Sequence, residues 1–442
     1  MEPGVRAEIV TVQMMRRTFL SSFSAGLAAP SLASLGLAAL GTAGAASAQT
    51  IASTKGADMN EYGDMHWVGT WTTTPDVVVG MALAGQTLRM VARLSIGGAR
   101  LRVRISNAYG ARDLAVGAAH IGLRHQGADV IPGSSRPLTF NGSPTTTIPA
   151  GALAVSDPVD LDVRALSDLL VSVHLPGELP EGFRLTGHDN GHQTNYISPP
   201  GNFASNDSLP VQKTTESFLF VSGVEVLVPR STGGIVAFGD SLTEGNTSQL
   251  DADHRWPDQL ARRLVARQGG RLLGVVNQGI GGNRLLHDGR GDNALRRFDR
   301  DVLAQPGVTH VIVLLGVNDL RNSGGKAEEA VTAEQMIAGL HQLVVRAHGV
   351  GLKVLGGTLL TWESNTFNGK FYTSEGEAKR QAVNTWIRES NAFDAVIDFE
   401  ESLRDPSHPT RMLPEWDSGD HLHPGDTGYL RMGDSIDLAL FD

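Results

Sequence analysis

Apolar and polar residues alternate with period two through the first half of the chain, and longer periods take over in the second. Residues 87–96 and 100–106 both alternate, with Gly97-Gly98 between them. That pattern predicts a hairpin whose solvated face carries Arg100, Arg102 and Arg104. Further strand-like runs occupy 169–175 and 217–228, among turns such as Tyr109-Gly110, Pro132-Gly133 and Asn141-Gly142. Short strands without helical periodicity predict a β-sandwich or jelly-roll-like domain over 49–229.

Past Pro229-Arg230-Ser231-Thr232 the pattern becomes one of strands alternating with helices, and a second domain is expected over 230–442. The apolar run 235–238, bounded by glycines, reads as a buried parallel strand. Trp256, Leu260 and Leu264 recur every fourth residue, as on an amphipathic helix. Strands are then expected at 272–276, 309–315, 353–358 and 395–398, and helices at 295–303, 334–347 and 377–388. A last helix follows Pro424, with Tyr429, Met432, Ile436 and Leu440 on one face. Five strands with intervening helices predict a three-layer α/β/α domain around a mostly parallel five-stranded sheet.

Residues 1–48 fit neither pattern. Arg16-Arg17 precede an Ala-, Leu- and Ser-rich apolar run, and Ala46-Ser47-Ala48 supplies small residues at a cleavage site. A charged start, apolar middle and A-x-A end predict an export signal of the bacterial twin-arginine type. The run is too mildly hydrophobic to be read as a stable membrane anchor, so the mature protein is expected to be periplasmic or extracellular. Glu2 and Glu8 are unusual ahead of such a signal, which leaves Met14 or Met15 as alternative starts.

Composition narrows the function. A chain of 442 residues, 41% hydrophobic and 19% charged, is long enough for two domains with proper cores. A net charge of -10 disfavours nucleic acid as a partner. The absence of cysteine excludes disulfides, thiolate metal sites and a cysteine nucleophile.

Four polar motifs fall at strand ends or in the last loop: Gly239-Asp-Ser-Leu242, Asn277-Gln-Gly-Ile-Gly-Gly-Asn283, Gly316-Val-Asn-Asp319 and Asp420-His-Leu-His-Pro424. Parallel strands bring their carboxyl ends to one edge of a sheet, where ligands bind and chemistry is done. Ser241 is the candidate nucleophile, which needs a base because a free hydroxyl attacks poorly. His423 is the candidate base and Asp420, three residues earlier, its orienting carboxylate. The Ser241 N–H, the Gly282 N–H and the Asn318 side-chain amide are the candidate oxyanion donors. Asp240 and Asp319 are expected to hydrogen-bond the surrounding loops.

Taken together and in this order, the four motifs resemble the SGNH subgroup of the GDSL esterase/lipase family, over residues 233–442. The resemblance implies a flavodoxin-like hydrolase fold without metal or organic cofactor. Gly282 matches the family's turn glycine best, with Gly281 open as a one-residue slip. The β region ahead of such a domain also looks like a secreted bacterial subgroup of diverse substrates.

Other signals carry less. Gly279-Ile-Gly-Gly-Asn-Arg284 starts like a dinucleotide fingerprint but ends in Arg284, and Thr243 stands where a G-x-S-x-G elbow needs glycine. Arg290-Gly-Asp292 reads as a chance match, and Asp251 and Asp253 lack the glycine of a calcium loop. Trp67, Trp71 and Tyr109 are read as structural before they are read as glycan platforms. His188, Asn190, His192, Gln193 and Asn195 form a polar cluster, read either as an overhang of the active site or as a plain loop. The expected function is an exported serine esterase releasing short acyl groups, such as acetyl, from a carbohydrate or other small-molecule ester. The alternatives are a lysophospholipase or aryl-esterase and, from another class, an inactive carbohydrate-binding protein.

Overall fold

The alternating runs of the first half do form strands, but 87–96 and 100–106 do not pair with each other. A computed structural model describes residues 63–442, apart from 180, 181, 183, 323, 324 and 366–371. The export signal expected at 1–48 lies outside the described residues. The longer strands of the first half are β1 (Met65–Thr72), β2 (Gln86–Arg93), β3 (Gly98–Ser106), β4 (Ala118–Gln126), β5 (Asp168–His174), β6 (Asn195–Pro200) and β7 (Val221–Pro229). One antiparallel sheet runs β1-β7-β3, and a second runs β6-β2-β5-β4, with short strands at the edges.

The expected hairpin is therefore a crossing between two sheets. Leu88, Met90 and Ala92 of β2 share one core with Leu101, Val103 and Ile105 of β3. Alternation buries the same side chains either way, so the pattern alone did not separate hairpin from crossing. Gly97 makes the crossing possible: a Cβ there would lie 2.5 Å from the Val163 carbonyl oxygen. The expected wet face is also half covered. Arg102 and Arg104 both pair with the buried Glu225 of β7, and Arg102 lies 4.4 Å from the Trp67 ring centroid. Trp71 is buried against Phe218. The run 217–228 is broken at Phe220, whose φ is +61°, between Phe218–Leu219 and β7.

The second half contains the parallel sheet. Its strands are β8 (Gly233–Gly239), β9 (Leu273–Gly279), β10 (Val308–Leu314), β11 (Lys353–Gly357) and β12 (Ala395–Ile397). They lie in the order β9-β8-β10-β11-β12 and pair only in parallel, the doubly wound order of flavodoxin-like sheets. The helices are α1 (Ser241–Glu244), α2 (Trp256–Ala266), α3 (Ala294–Phe298), α4 (Val317–Leu320), α5 (Ala333–His348), α6 (Ser374–Glu389), α7 (Phe399–Leu403) and α8 (Asp426–Ser435). α2 and α7 pack with α8, whereas α3 and α6 pack with α5, so helices flank the sheet in two layers.

Two helices differ from expectation. The helix expected at 295–303 is α3 followed by a π-turn over Asp299–Leu303, where Asp301 turns inward to meet the buried Arg297. The last helix stops at Ser435, Ile436 is extended, and a 3-10 turn follows over Leu438–Phe441. That change of phase buries Phe441 in place of Leu440.

β1 lies against β9, at the edge of the parallel sheet. The Gly69 N–H donates to the Pro306 carbonyl, Val275 N–H to Ser95 Oγ, and Thr72 Oγ1 to the Asn277 carbonyl. Thr74 and Thr72 hydroxyls bond the Gln278 amide at 2.7 and 2.9 Å. Gly274 permits this approach, since a Cβ there would lie 2.5 Å from the Gly69 carbonyl oxygen. The described residues accordingly lie in one compact unit.

Candidate active site

The site is built at the carboxyl ends of three neighbouring strands. β8 is buried along its length and ends at Gly239, where a Cβ would lie 2.5 Å from the Leu314 carbonyl of β10. Only glycine lets the two strand ends stay this close. Asp240 then caps α1, its Oδ1 accepting the Leu242 N–H at 3.0 Å. Ser241 opens that four-residue helix, which Gly245 ends with a φ of +98°. Behind it, the Tyr429 hydroxyl of α8 donates to the Asn246 carbonyl at 2.7 Å.

The loop before α8 delivers the imidazole. His423 Nε2 lies 2.9 Å from Ser241 Oγ, and His423 Nδ1 lies 2.6 Å from Asp420 Oδ2. A carboxylate opposite Nδ1 makes that nitrogen the donor, so Nε2 is left with its lone pair toward the serine hydroxyl. The other Asp420 oxygen accepts the backbone N–H groups of Leu422 and His423 at 2.9 and 2.8 Å. Burial on its own would raise the Asp420 carboxyl, but the bonds and charge from His423, with the two amides, bring it down to about 2. His421, the neighbouring imidazole, turns outward to Asp417.

The remaining motifs close the ring. In the turn after β9, the Gly281 N–H donates to Glu244 Oε1 at 2.8 Å, and Gly282 has a φ of +76°. Asn318, in α4, donates from Nδ2 to the Asn283 carbonyl at 3.1 Å. Asp319 accepts the N–H groups of Leu285 and Leu286 at 2.7 and 3.0 Å, the loop-bonding part expected of it. Burial pushes Asp240 up to about 7, and burial pushes Asp319 up to about 6 against the pull of those two amides.

Ser241, His423, Gly281, Gly282 and Asn318 thus line one cavity of about 370 Å³, with Asp420 behind His423. Among the other described residues that line it, Leu422 is the one aliphatic side chain; Asn190, Glu244, Asn246, Arg290 and Arg321 are polar. Of the polar cluster 188–195, Asn190 reaches this cavity, whereas Gln193 and Thr194 bind Asp251 and Asn195 is buried inside its sheet.

Several contributors carried no readable signal. Arg290 stood in the Arg-Gly-Asp triplet read as chance, and it donates from Nε to the Gly281 carbonyl at 3.3 Å. Fully buried Arg297 ties the site's backbone together: it donates to the Gly239 and Gln278 carbonyls at 2.7 and 2.9 Å and to Asn283 Oδ1 at 3.0 Å. Its charge is matched by Asp301 at 3.2 Å. A second arginine in Arg296-Arg297 reads as surface charge unless the strand ends it reaches are known.

Residues 237–431 match the GDSL-like Lipase/Acylhydrolase family. Solved structures to which this chain is similar include a GDSL-like lipase of Bacteroides thetaiotaomicron, at 18% identity over 47% of this chain and 87% of that one, TM-score 0.37. Others are a carbohydrate acetylesterase of Sinorhizobium meliloti (20% identity, 46% and 94% covered, TM-score 0.35) and an acetylxylan esterase of Geobacillus stearothermophilus (19%, 46% and 91%, 0.36). No curated protein matches at a significant level. Likeness of this degree is no evidence of a shared substrate.

Proposed function

Because the C-terminal half of this chain is a GDSL-like lipase/acylhydrolase (SGNH) domain, we propose that the protein is an exported serine esterase that removes short acyl groups from hydroxyl-rich alcohols such as sugars. The observation that carries the reading is the unbroken line Asp420–His423–Ser241, at 2.6 and 2.9 Å, opening into a cavity with one aliphatic side chain among its described wall residues. A long acyl chain needs an apolar trough. An acetyl group needs none, and the polar rim of Asn190, Asn246, Arg290 and Arg321 suits an alcohol with many hydroxyls.

In this reading Ser241 Oγ bonds to the ester carbonyl carbon as its proton passes to His423 Nε2. Asp420 stabilises the resulting imidazolium without taking the proton. The Ser241 and Gly282 N–H groups and the Asn318 amide bind the tetrahedral oxyanion. Gly282 is preferred to Gly281 here because the Gly281 N–H is committed to Glu244. Collapse breaks the ester C–O bond, and His423 returns the proton to the leaving alcohol. Water, deprotonated by the same imidazole, then releases the acid.

A panel of p-nitrophenyl esters of graded acyl length, with acetylated sugars and xylan, tests it. Acetate and butyrate turned over at least ten times faster than long-chain esters, and lost in Ser241→Ala, is the expected outcome. A preference for long acyl chains or lysophospholipid would replace the short-acyl reading. A folded protein without hydrolysis, unchanged by Ser241→Ala, would leave the inactive binding-protein reading.

A further inference from the structure

Glu244, the last residue of α1, is buried where three segments meet. Its Oε1 accepts the Gly281 N–H at 2.8 Å and lies 3.2 Å from His188 Nε2. His188 belongs to the strand Leu185–His188 of the β region, and its Nδ1 lies 3.1 Å from the Thr74 carbonyl. A carbonyl oxygen only accepts, so Nδ1 is the donor there. Nε2 is thereby turned toward Glu244, in close polar contact with Oε1. The result is a single file from Thr74 through His188 and Glu244 to the backbone of Gly281, with a hydrogen bond at each end and a close polar contact between the two side chains.

The approach depends on glycine. A Cβ on Gly281 would lie 2.5 Å from Glu244 Oε2, so any other residue would push the carboxylate off the turn. The next residue is Gly282, whose N–H is the candidate oxyanion donor and whose φ of +76° lies where L side chains are strained. The turn is closed by the Asn283 N–H on the Ile280 carbonyl, and exposed Arg290 reaches the Gly281 carbonyl at 3.3 Å; Glu244 adds the buried hold on the peptide before it. An oxyanion donor contributes only when it is aimed before the charge appears.

We infer that Glu244 and His188 are positioning residues: the β region, through His188, holds Glu244 on Gly281 and so fixes the direction of the Gly282 N–H. This deepens the esterase reading and rests on it. Neither side chain acts on the ester itself; they act through the peptide beside the donor. Through His188 the β region helps to position the oxyanion turn.

The test compares wild type with Glu244→Ala, Glu244→Gln and His188→Ala in the full chain, by steady-state kinetics on p-nitrophenyl acetate and by hydrogen exchange at the Gly281 amide. Glutamine keeps an oxygen for the Gly281 N–H. The expected result for Glu244→Ala is a fall in kcat of about 10- to 100-fold, part of what loss of a whole oxyanion donor costs, with KM within about twofold. Glu244→Gln should regain most of that loss, His188→Ala should fall between the two, and Gly281 exchange should speed up in the alanine variants only. Unchanged kcat in both alanine variants, equal losses in glutamine and alanine, or a rise in KM alone would overturn the inference. Should Glu244→Ala not fold, the kcat of His188→Ala decides on the same terms. A wild type without turnover would count against the esterase reading, and Gly281 exchange would still decide whether Glu244 and His188 hold the turn.

Discussion

Arg297 and Ser241 show how differently two residues of one site announce themselves. Ser241 stands in a motif at a strand end, with Asp420 and His423 at a fixed spacing far downstream, so sequence alone brought the three together on paper. Arg297 is as deeply placed but stands in no motif, because its partners are the main-chain oxygens of Gly239 and Gln278. Backbone acceptors leave no trace in a sequence. The same holds for Glu244, which reads as an ordinary charge until the Gly281 N–H is seen to end on it. Replacing Arg297 by methionine should leave the Gly239 and Gln278 carbonyls and Asn283 Oδ1 without their donor, while Asp301 keeps Arg300 at 2.6 Å. The expected cost is about 1–3 kcal/mol for each acceptor left unpaired, read as a lower urea midpoint, and an unchanged midpoint would argue against this role.

At the level of elements, the parallel strands were legible because each is built on a short apolar run between breakers. The crossing from β2 to β3 was not, because alternation has the same period in a hairpin and in two facing sheets. Close packing at strand ends was equally silent. Gly239→Ala should force β8 and β10 apart at the Leu314 carbonyl, lowering both stability and kcat, whereas a variant as stable and active as wild type would contradict the packing described. β10 also carries a titration. His310 is buried with its Nε2 unpaired, Nδ1 at Thr309 Oγ1, and its ring edge-on to Phe441. Burial, with Lys353 and Arg271 nearby, lowers it from 6.5 to about 4. Above about 6.5 both folded and unfolded chains hold it neutral and its share of stability is complete. Between 6.5 and 4 the unfolded chain gains the proton first, so stability falls as pH falls. His310→Gln should flatten that slope between pH 7 and 5 in urea titrations, and an unaltered slope would remove His310 from the account.

For the whole molecule, the change of pattern near Pro229 reads as a boundary, yet β1 packs on β9 and hydrogen bonds from Thr72, Thr74 and Ser95 tie the two halves together. Composition and periodicity describe each half alone and say nothing of the surface they share. Removing the β region would uncover the β9 edge and leave Gln278 and Glu244 without Thr74 and His188. A fragment of residues 230–442 should therefore be insoluble or poorly folded, and the full chain should melt in one calorimetric transition. Two separate transitions, or a soluble and fully active fragment, would contradict this.

The central claim is that Ser241 is a nucleophile activated by His423, and covalent trapping tests it most directly. Incubation with a fluorophosphonate, followed by intact mass and peptide mapping, should give one adduct per chain on Ser241. That adduct should vanish in Ser241→Ala and form far more slowly in His423→Ala. A folded protein that takes no label, or takes it equally at another residue in both variants, would contradict the account.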